Sequence, residues 1–231
     1  MLQNVLKMLN LSRNILTEVS SETFNQLKRL HLLDLSFNSL TFLEPGCFIS
    51  STKLQSIYLQ GNQLTSLSPM LFNNHKKLRV VDLSWNFLES FPEQLFQRTT
   101  LEILKASNNR LNEIPIKTLN PVQSSLKHLD LSGNRITTIS DSQLNQIQSL
   151  VVLNLANNHI SVIDNQAFCC VPNLLWLSLA SNPLQRINPD TFLGVKNQLE
   201  SLNVANASLT LLPSFQLPSL KELNISYNQV S

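Results

Sequence analysis

Four histidines and three cysteines are the side chains of this 231-residue chain best suited to metal binding or nucleophilic chemistry. None is placed for it. His31, His75, His128 and His159 are scattered, and no two stand at the spacing of about three to five residues that aims two imidazoles at one zinc. Cys169 and Cys170 are neighbours, a poor disulfide pair sterically, and Cys47 is remote from both. Three cysteines are too few for a disulfide framework, so the reading is three reduced thiols in loop turns. No G-x-S-x-G, P-loop or H-E-x-x-H motif occurs. The one constellation with acid–base potential is His128 with Asp130, near Glu102 and Lys105. Alternating exposure along a strand accounts for these charges without a reaction. The chain is therefore expected not to be an enzyme and to take no metal and no cofactor.

These residues are positioned by a phrase that returns along the whole chain. Residues 126–139 state it as LKHLDLSGNRITTI, with leucine at positions 1, 4 and 6, asparagine at 9 and apolar residues at 11 and 14. The asparagine recurs at Asn14, Asn38, Asn62, Asn86, Asn109, Asn134, Asn158 and Asn182, gives way to Ala207, and returns at Asn228. The spacings are 24, 24, 24, 23, 25, 24, 24, 25 and 21 residues. A fixed period of this length marks a solenoid, and L-x-x-L-x-L-x-x-N-x-L is the leucine-rich-repeat signature. Over essentially its full length the chain resembles the extracellular, 24-residue subfamily of these repeats, which includes Toll-like receptor ectodomains and chaoptin-like adhesion proteins. The closing LPSFQLPSLKELNISYN, with its shortened repeat, is similar to the wording of Toll-like ectodomains.

The expected fold is an α/β repeat, a leucine-rich-repeat solenoid curved like a horseshoe. Positions 3 to 7 alternate, as a strand with one buried face does. All repeats run the same way, so the strands are parallel; ten of them stacked at about 4.8 Å give a concave sheet roughly 45 Å long. The position-9 amide is expected to bond backbone groups of its own and the next turn, groups whose burial without a partner costs about 1–3 kcal/mol each. Position 19 holds Phe24, Phe48, Phe72, Phe96, Phe168 and Phe192, with Leu119, Leu144 and Leu217 in the remaining repeats; this column fills the wide convex side. Pro45, Pro69 and Pro189 share position 16, and Pro92, Pro115 and Pro213 share position 15. Proline suits an extended segment with no ladder to feed, so the convex side should consist of short extended, turn and 3-10 segments. Residues 1–231 read as a single solenoid of about ten repeats, uncapped at both ends. Solenoids need polar caps, so a fragment of a longer protein is expected, whose mature start need not be Met1. No basic-then-apolar leader and no run of 18 apolar residues is present.

Charged residues make up only 14% of the chain and the net charge is +2. The exposed concave positions, 2, 3, 5, 7 and 8, carry both signs evenly. A nucleic-acid sensor calls for a basic stripe, so nucleic acid is not the expected partner of this face, although a flank could still carry a basic patch. Column 5 reads Tyr58, Asp82, Lys105 and Asp130 on successive strands. Opposite charges side by side are worth roughly 0.2–1 kcal/mol per pair, so this is either a self-paired ladder or a charge-matched ligand strip anchored by Tyr58. Column 8 reads Phe37, Gly61 and Trp85, and Gly61 is expected to leave an apolar gap between two rings. Repeats 7 and 8 are apolar at positions 2 and 3, with Val151, Val152, Leu175 and Trp176. Such a patch with polar surroundings marks an interaction site, and Trp is the residue type most enriched at hot spots.

Sequons stand at Asn10, Asn206 and Asn224. Glycans at Asn10 and Asn224 would frame the concave face and leave its middle strands open. The resemblance implies a cell-surface receptor of innate-immune type or an adhesion protein, extracellular, binding a protein or glycolipid-type ligand, as a homo- or heterodimer, and held to a membrane only through parts of the parent outside these residues. The alternative is a cytosolic leucine-rich-repeat scaffold, whose repeats resemble a 22–23-residue pattern with an aliphatic residue where this chain has Phe.

Overall fold

The structure, a computed structural model, describes residues 5–231 apart from 74, 142, 145, 146, 212 and 213. Pro213 therefore lies outside the described residues. Each repeat contributes one three-residue strand, beginning with Met8–Asn10 and ending with Glu222–Asn224, and these form a 10-stranded sheet in sequence order. Neighbouring strands are parallel, and the register pairs like with like: Leu129 of His128–Asp130 faces Leu104 on one side and Leu153 on the other. Position number therefore fixes both the face and the height of every side chain. Leucines at positions 1, 4 and 6 turn into a continuous apolar core together with positions 11, 14 and 19.

The asparagine column closes the coils onto each other. Asn134 Nδ2 donates to Leu131 O of its own repeat at 2.9 Å and to Ala106 O of the repeat before at 3.0 Å, while its Oδ1 accepts from Leu111 N at 3.0 Å. The same three bonds recur at Asn38, Asn62, Asn86, Asn109, Asn158 and Asn182. The neighbour served is thus the preceding turn, not the following one. The reason is the ladder. Position 6 sits just past the strand, where its carbonyl faces the next coil and that coil's amide is the donor within reach. Asn14, in the first repeat described, binds its own turn, through Leu11 O and Ser12 O.

At Ala207 the side chain cannot take part, and the backbone substitutes: Leu184 N and Gln185 N both donate to Ala207 O, at 3.1 and 3.2 Å. Asn206 beside it points elsewhere, its amide donating to Ser181 Oγ. The column resumes at Asn228, whose Oδ1 accepts from both Ala207 N and Leu209 N.

The convex side is built from short pieces. Glu18–Val19 pairs with Phe42–Leu43, and Thr138–Ile139 with Val162–Ile163, as two small parallel sheets. One helical turn, Ile116–Leu119, runs into the 3-10 segment Asn120–Val122, and a second 3-10 segment spans Pro189–Val195. These helical pieces fall in the two repeats of 25 residues: the extra residue is taken up by winding, begun at Pro115 and Pro189, whose fixed φ suits a helix start. Inside them the phenylalanines stack. Phe24, Phe48, Phe72 and Phe96 follow one another at 5.9 to 6.2 Å between ring centroids, within the range of offset aromatic pairs. Phe192 continues from Phe168 at 5.6 Å, and the next ring is Phe215 at 5.7 Å, tilted by 57°. Phe215, rather than Leu217, stacks on the column, because the shortened repeat brings the chain back to the convex side sooner; both residues are partly buried against the core.

Asn134→Ala strands three buried backbone groups in mid-stack, at about 1–3 kcal/mol for each that finds no other partner. Its urea unfolding midpoint is expected to fall by several kcal/mol equivalent, while Thr137→Ala, exposed on the same repeat, changes it little. Equal midpoints would show that the amide column does not hold the coils.

Candidate functional site

Two of the three thiols are held protonated. Cys47 is buried, and burial pushes its thiol up to about 12. Cys169 lies 2.8 Å from Cys170, sulfur to sulfur, and that hydrogen bond, with some burial, pushes its thiol up to about 11. No disulfide joins the three. His75 is enclosed, with Nε2 at 3.0 Å from Phe48 O. Among the described residues no group of three or more His, Cys, Asp or Glu could hold a metal ion.

The concave face offers more. Following position 3 across the sheet, register sets Val80, Ile103, His128, Val152 and Trp176 side by side. All but His128 are half-buried, with one flank against the sheet and one open. Above this row lies an open depression of about 580 Å³, lined by Ile103, Lys105, His128, Asp130, Val152, Asn154 and Trp176 among others. Trp176 also borders a second depression with Leu175, Glu200 and Lys221. The apolar patch is therefore longer than repeats 7 and 8 alone: Val80 and Ile103 extend it past His128. Position 3 of repeats 4 and 5 carried that signal in the sequence, and comparison with the immediate neighbours, repeats 6 and 9, hid it.

Column 5 does not behave as a charge ladder. Lys105 makes an ion pair with neither Asp82 nor Asp130, although they are its register partners. The carboxylates are turned along their own strands instead. Asp130 Oδ1 accepts from Ser132 N at 3.0 Å and Ser132 Oγ at 2.7 Å, and Asp34 and Asp82 accept from the backbone N–H two residues on in the same way. Asn10, Asn154, Asn203 and Asn224 repeat the motif with an amide oxygen. An acceptor at position 5 thus fixes the turn at the strand's end, and a local hydrogen bond wins over a cross-strand ion pair because its partner is two residues away and fixed in place. Lys105 is left exposed at the rim of the depression. Charge pairing occurs instead at position 2: Glu102 bridges Arg79 at 3.1 Å and Lys127 at 3.2 Å, and Lys221 meets Glu200 at 2.8 Å.

Position 8 has a left-handed backbone in every repeat, with φ from 51° to 69° at Arg13, Phe37, Gly61, Trp85, Asn108, Gly133, Asn157, Ser181, Asn206 and Tyr227. This conformation turns the chain so that the next residue, position 9, points inward. It also removes the expected gap at Gly61. The Phe37 ring lies across Gly61, so close that a Cβ there would be 2.5 Å from Phe37 Cδ1. Arg13 covers the ring's other side, 4.7 Å from its centroid. Trp85 stands 62% exposed at the end of its strand, away from the depression. Of the residues singled out in the sequence, the structure brings Lys105, Val152 and Trp176 together. Tyr58 and Asp82 share the same face on earlier strands without lining that depression, and Trp85 does not join them. Asn10, Asn206 and Asn224 are exposed, the first and last on the terminal strands of the concave sheet.

The family model for leucine-rich repeats matches residues 4–64, 124–184 and 172–230. A second model, for the repeats of leucine-rich repeat and WD repeat-containing protein 1, matches residues 47–146. No curated protein sequence matches the chain. Among solved structures, a chain of the Toll–Spatzle complex of Drosophila is 24% identical and superposes with a TM-score of 0.75 over 98% of this chain and 38% of that one. The glycosylated form of that complex gives 24% identity and 0.79 over 97% and 35%. The TLR13–ssRNA13 complex gives 24% identity and 0.69 over 93% and 35%. At this identity the likeness is one of fold, and the chain spans little more than a third of the length of the solved chains it matches.

With its pKa near 12, Cys47 carries thiolate in only about one molecule in 10⁴ at pH 8. Iodoacetamide at pH 8 is expected to leave Cys47 unmodified in the native chain and to alkylate it after denaturation, read by mass spectrometry. Native labelling at the rate of an unhindered cysteine would show the site to be open.

Proposed function

The chain belongs to the leucine-rich-repeat family, and on that premise we propose that its concave sheet is the ligand-recognition surface of a cell-surface receptor of Toll-like type. The observation that carries the reading is the row Val80–Ile103–His128–Val152–Trp176, whose members from Ile103 to Trp176 line the depression together with Lys105 and Asp130. A largely apolar strip with a polar rim and a Trp at one end has the composition of a protein-binding hot spot. The strip runs across strands whose register is locked, so it is presented without an ordering penalty of its own. The ligand it suits is a protein, laid across strands 4 to 8, with Trp176 as anchor. Catalysis has no place in this reading, since the thiols and scattered imidazoles supply neither nucleophile nor metal.

The solved complexes of similar fold pair Toll with Spatzle and TLR13 with ssRNA13. The first accords with a protein ligand. The second is a nucleic-acid complex, whereas this concave face carries both signs of charge and an apolar centre. Exposed sequon asparagines at both ends of the sheet accord with an extracellular ectodomain. The alternative reading is a cytosolic leucine-rich-repeat scaffold.

Two experiments separate these. Secreted from a eukaryotic cell, the chain is expected to migrate as a ladder that peptide-N-glycosidase collapses, with Asn10 and Asn224 modified. A single unmodified species in the secretory route would favour the cytosolic scaffold. Proximity labelling from the full-length parent on living cells is expected to mark an extracellular protein that Trp176→Asp no longer reaches, with a loss of roughly 2 kcal/mol or more of binding and an unchanged melting temperature. Equal labelling by wild type and variant would remove the concave row as the docking site, and unfolding of the variant would place Trp176 in the core.

A further inference from the structure

The charge of this chain is nearly balanced in total and sharply divided in space. Positions 23, 24 and 2 lie at the edge of the sheet where the strands begin. Over the first four repeats that edge carries Lys7, Lys28, Arg29, Lys53, Lys76, Lys77 and Arg79, all exposed. The first carboxylate on it is Glu102, in repeat 5. The acidic residues collect across the coil at positions 12 to 17, from Glu18 and Glu22 to Asp164 and Asp190. Among the described residues, Lys28, Arg29, Lys53, Lys76 and Lys77 have no carboxylate in ion-pair reach, and Glu102 is already shared between Arg79 and Lys127. The edge is not flat: an open depression of about 550 Å³ is lined by Gln55, Lys76, Lys77, Arg79, Ser124 and Lys127 among others.

We propose that this basic edge, distinct from the concave row, binds a linear sulfated polysaccharide. One to three cations per coil, repeated at the coil spacing, form a track rather than a point site, which suits a polymer with anionic groups at regular intervals. Unpaired cations in a row hold a local potential far above what the net charge suggests, and binding to them is driven by counterion release. Besides the Glu102 carboxylate, which is paired with Arg79 and Lys127, the side chains among the cations are hydroxyls and an amide, Thr100, Ser124, Ser125 and Gln55, which meet sugar hydroxyls and sulfate oxygens. The edge has no exposed aromatic residue at positions 23, 24 and 2 over these repeats, and single-stranded nucleic acid binding relies on such rings for base stacking. That lack separates a polysaccharide from an RNA partner. The proposal stands independently of the concave site: the edge charge is the same whether or not Trp176 binds a protein.

The test uses the 231-residue chain on immobilised heparin, with fully desulfated heparin and poly(U) as competitors. Wild type is expected to bind heparin with an affinity that falls steeply with salt. Lys53→Glu/Lys76→Glu/Lys77→Glu is expected to bind roughly tenfold or more weakly at equal salt and to show a shallower salt slope. Lys117→Glu/Arg135→Glu/Arg186→Glu, with the same change in net charge away from the edge, is expected to bind as wild type. Desulfated heparin should not compete, and poly(U) should compete less well than heparin. The three lysines are exposed, so folding is checked by circular dichroism, and the triple glutamine variant should give an intermediate loss. Equal loss in the edge and off-edge variants, undiminished binding by the edge variant, or poly(U) competing as well as heparin would each overturn the proposal.

Discussion

One hydrogen-bonding demand shapes this molecule. When a chain coils so that parallel strands stack, the backbone just beyond each strand leaves the ladder while still buried. The position-6 carbonyl and the position-11 N–H are then caught between coils, out of reach of water. A single side chain meets both needs, and it must be a primary amide: Nδ2 has two hydrogens for two carbonyls, and Oδ1 has a lone pair for the N–H. A carboxylate lacks the donors, and a hydroxyl has too few. The left-handed residue at position 8 is the conformational condition for it. Holding a non-glycine residue there costs about 1–2 kcal/mol, as at Phe37 and Trp85, and the bonds made by the next residue offset that.

Ala207 shows how far the demand can be relaxed. There the carbonyl of Ala207 itself swings in to accept from Leu184 N and Gln185 N, and the repeat that contains it is shortened to 21 residues. The substitution is tolerated once, near the end of the stack, with full amide triplets on the coils before it. It also changes what lies outside. Asn206, at position 8 beside it, donates to Ser181, and Phe215 advances to fill the aromatic column ahead of Leu217.

The period of the solenoid was legible because the core is one-dimensional: every inward position faces the same position one coil away, so the sequence must repeat wherever packing repeats. The leucine, asparagine and phenylalanine columns, the parallel sheet and the short convex elements follow from that. The surface obeys no such rule, and there the reading of single residues fell short. Asp82, Lys105 and Asp130 stand in register as a perfect alternation of charge, yet the aspartates turn to N–H groups on their own strands, a contact that spacing across repeats does not display. Gly61 looked like space and is covered, because the left-handed backbone at position 8 lays the Phe37 ring sideways over the neighbouring coil. The apolar row was underestimated because His128 interrupts it, although register makes Ile103 and Val152 its two neighbours. The two 25-residue spacings held an unread signal as well, for both mark convex helical turns.

Locking the coils together has a functional consequence beyond stability. Because register fixes height, a residue type chosen at one position number becomes a line across the molecule, and different position numbers become different parallel lines. Position 3 draws the apolar row, position 5 the turn-fixing acceptors, and positions 23, 24 and 2 the basic edge. Lines at different position numbers need not interfere, since the strands between them are rigid and their side chains point apart. Glu102 shows the boundary at work. It pairs with Arg79 and Lys127 within the edge, one position before Ile103 of the apolar row. A protein lying across the concave strands and a polymer lying along their starting edge would therefore meet separate chemistry on one stack, and neither would have to displace the other.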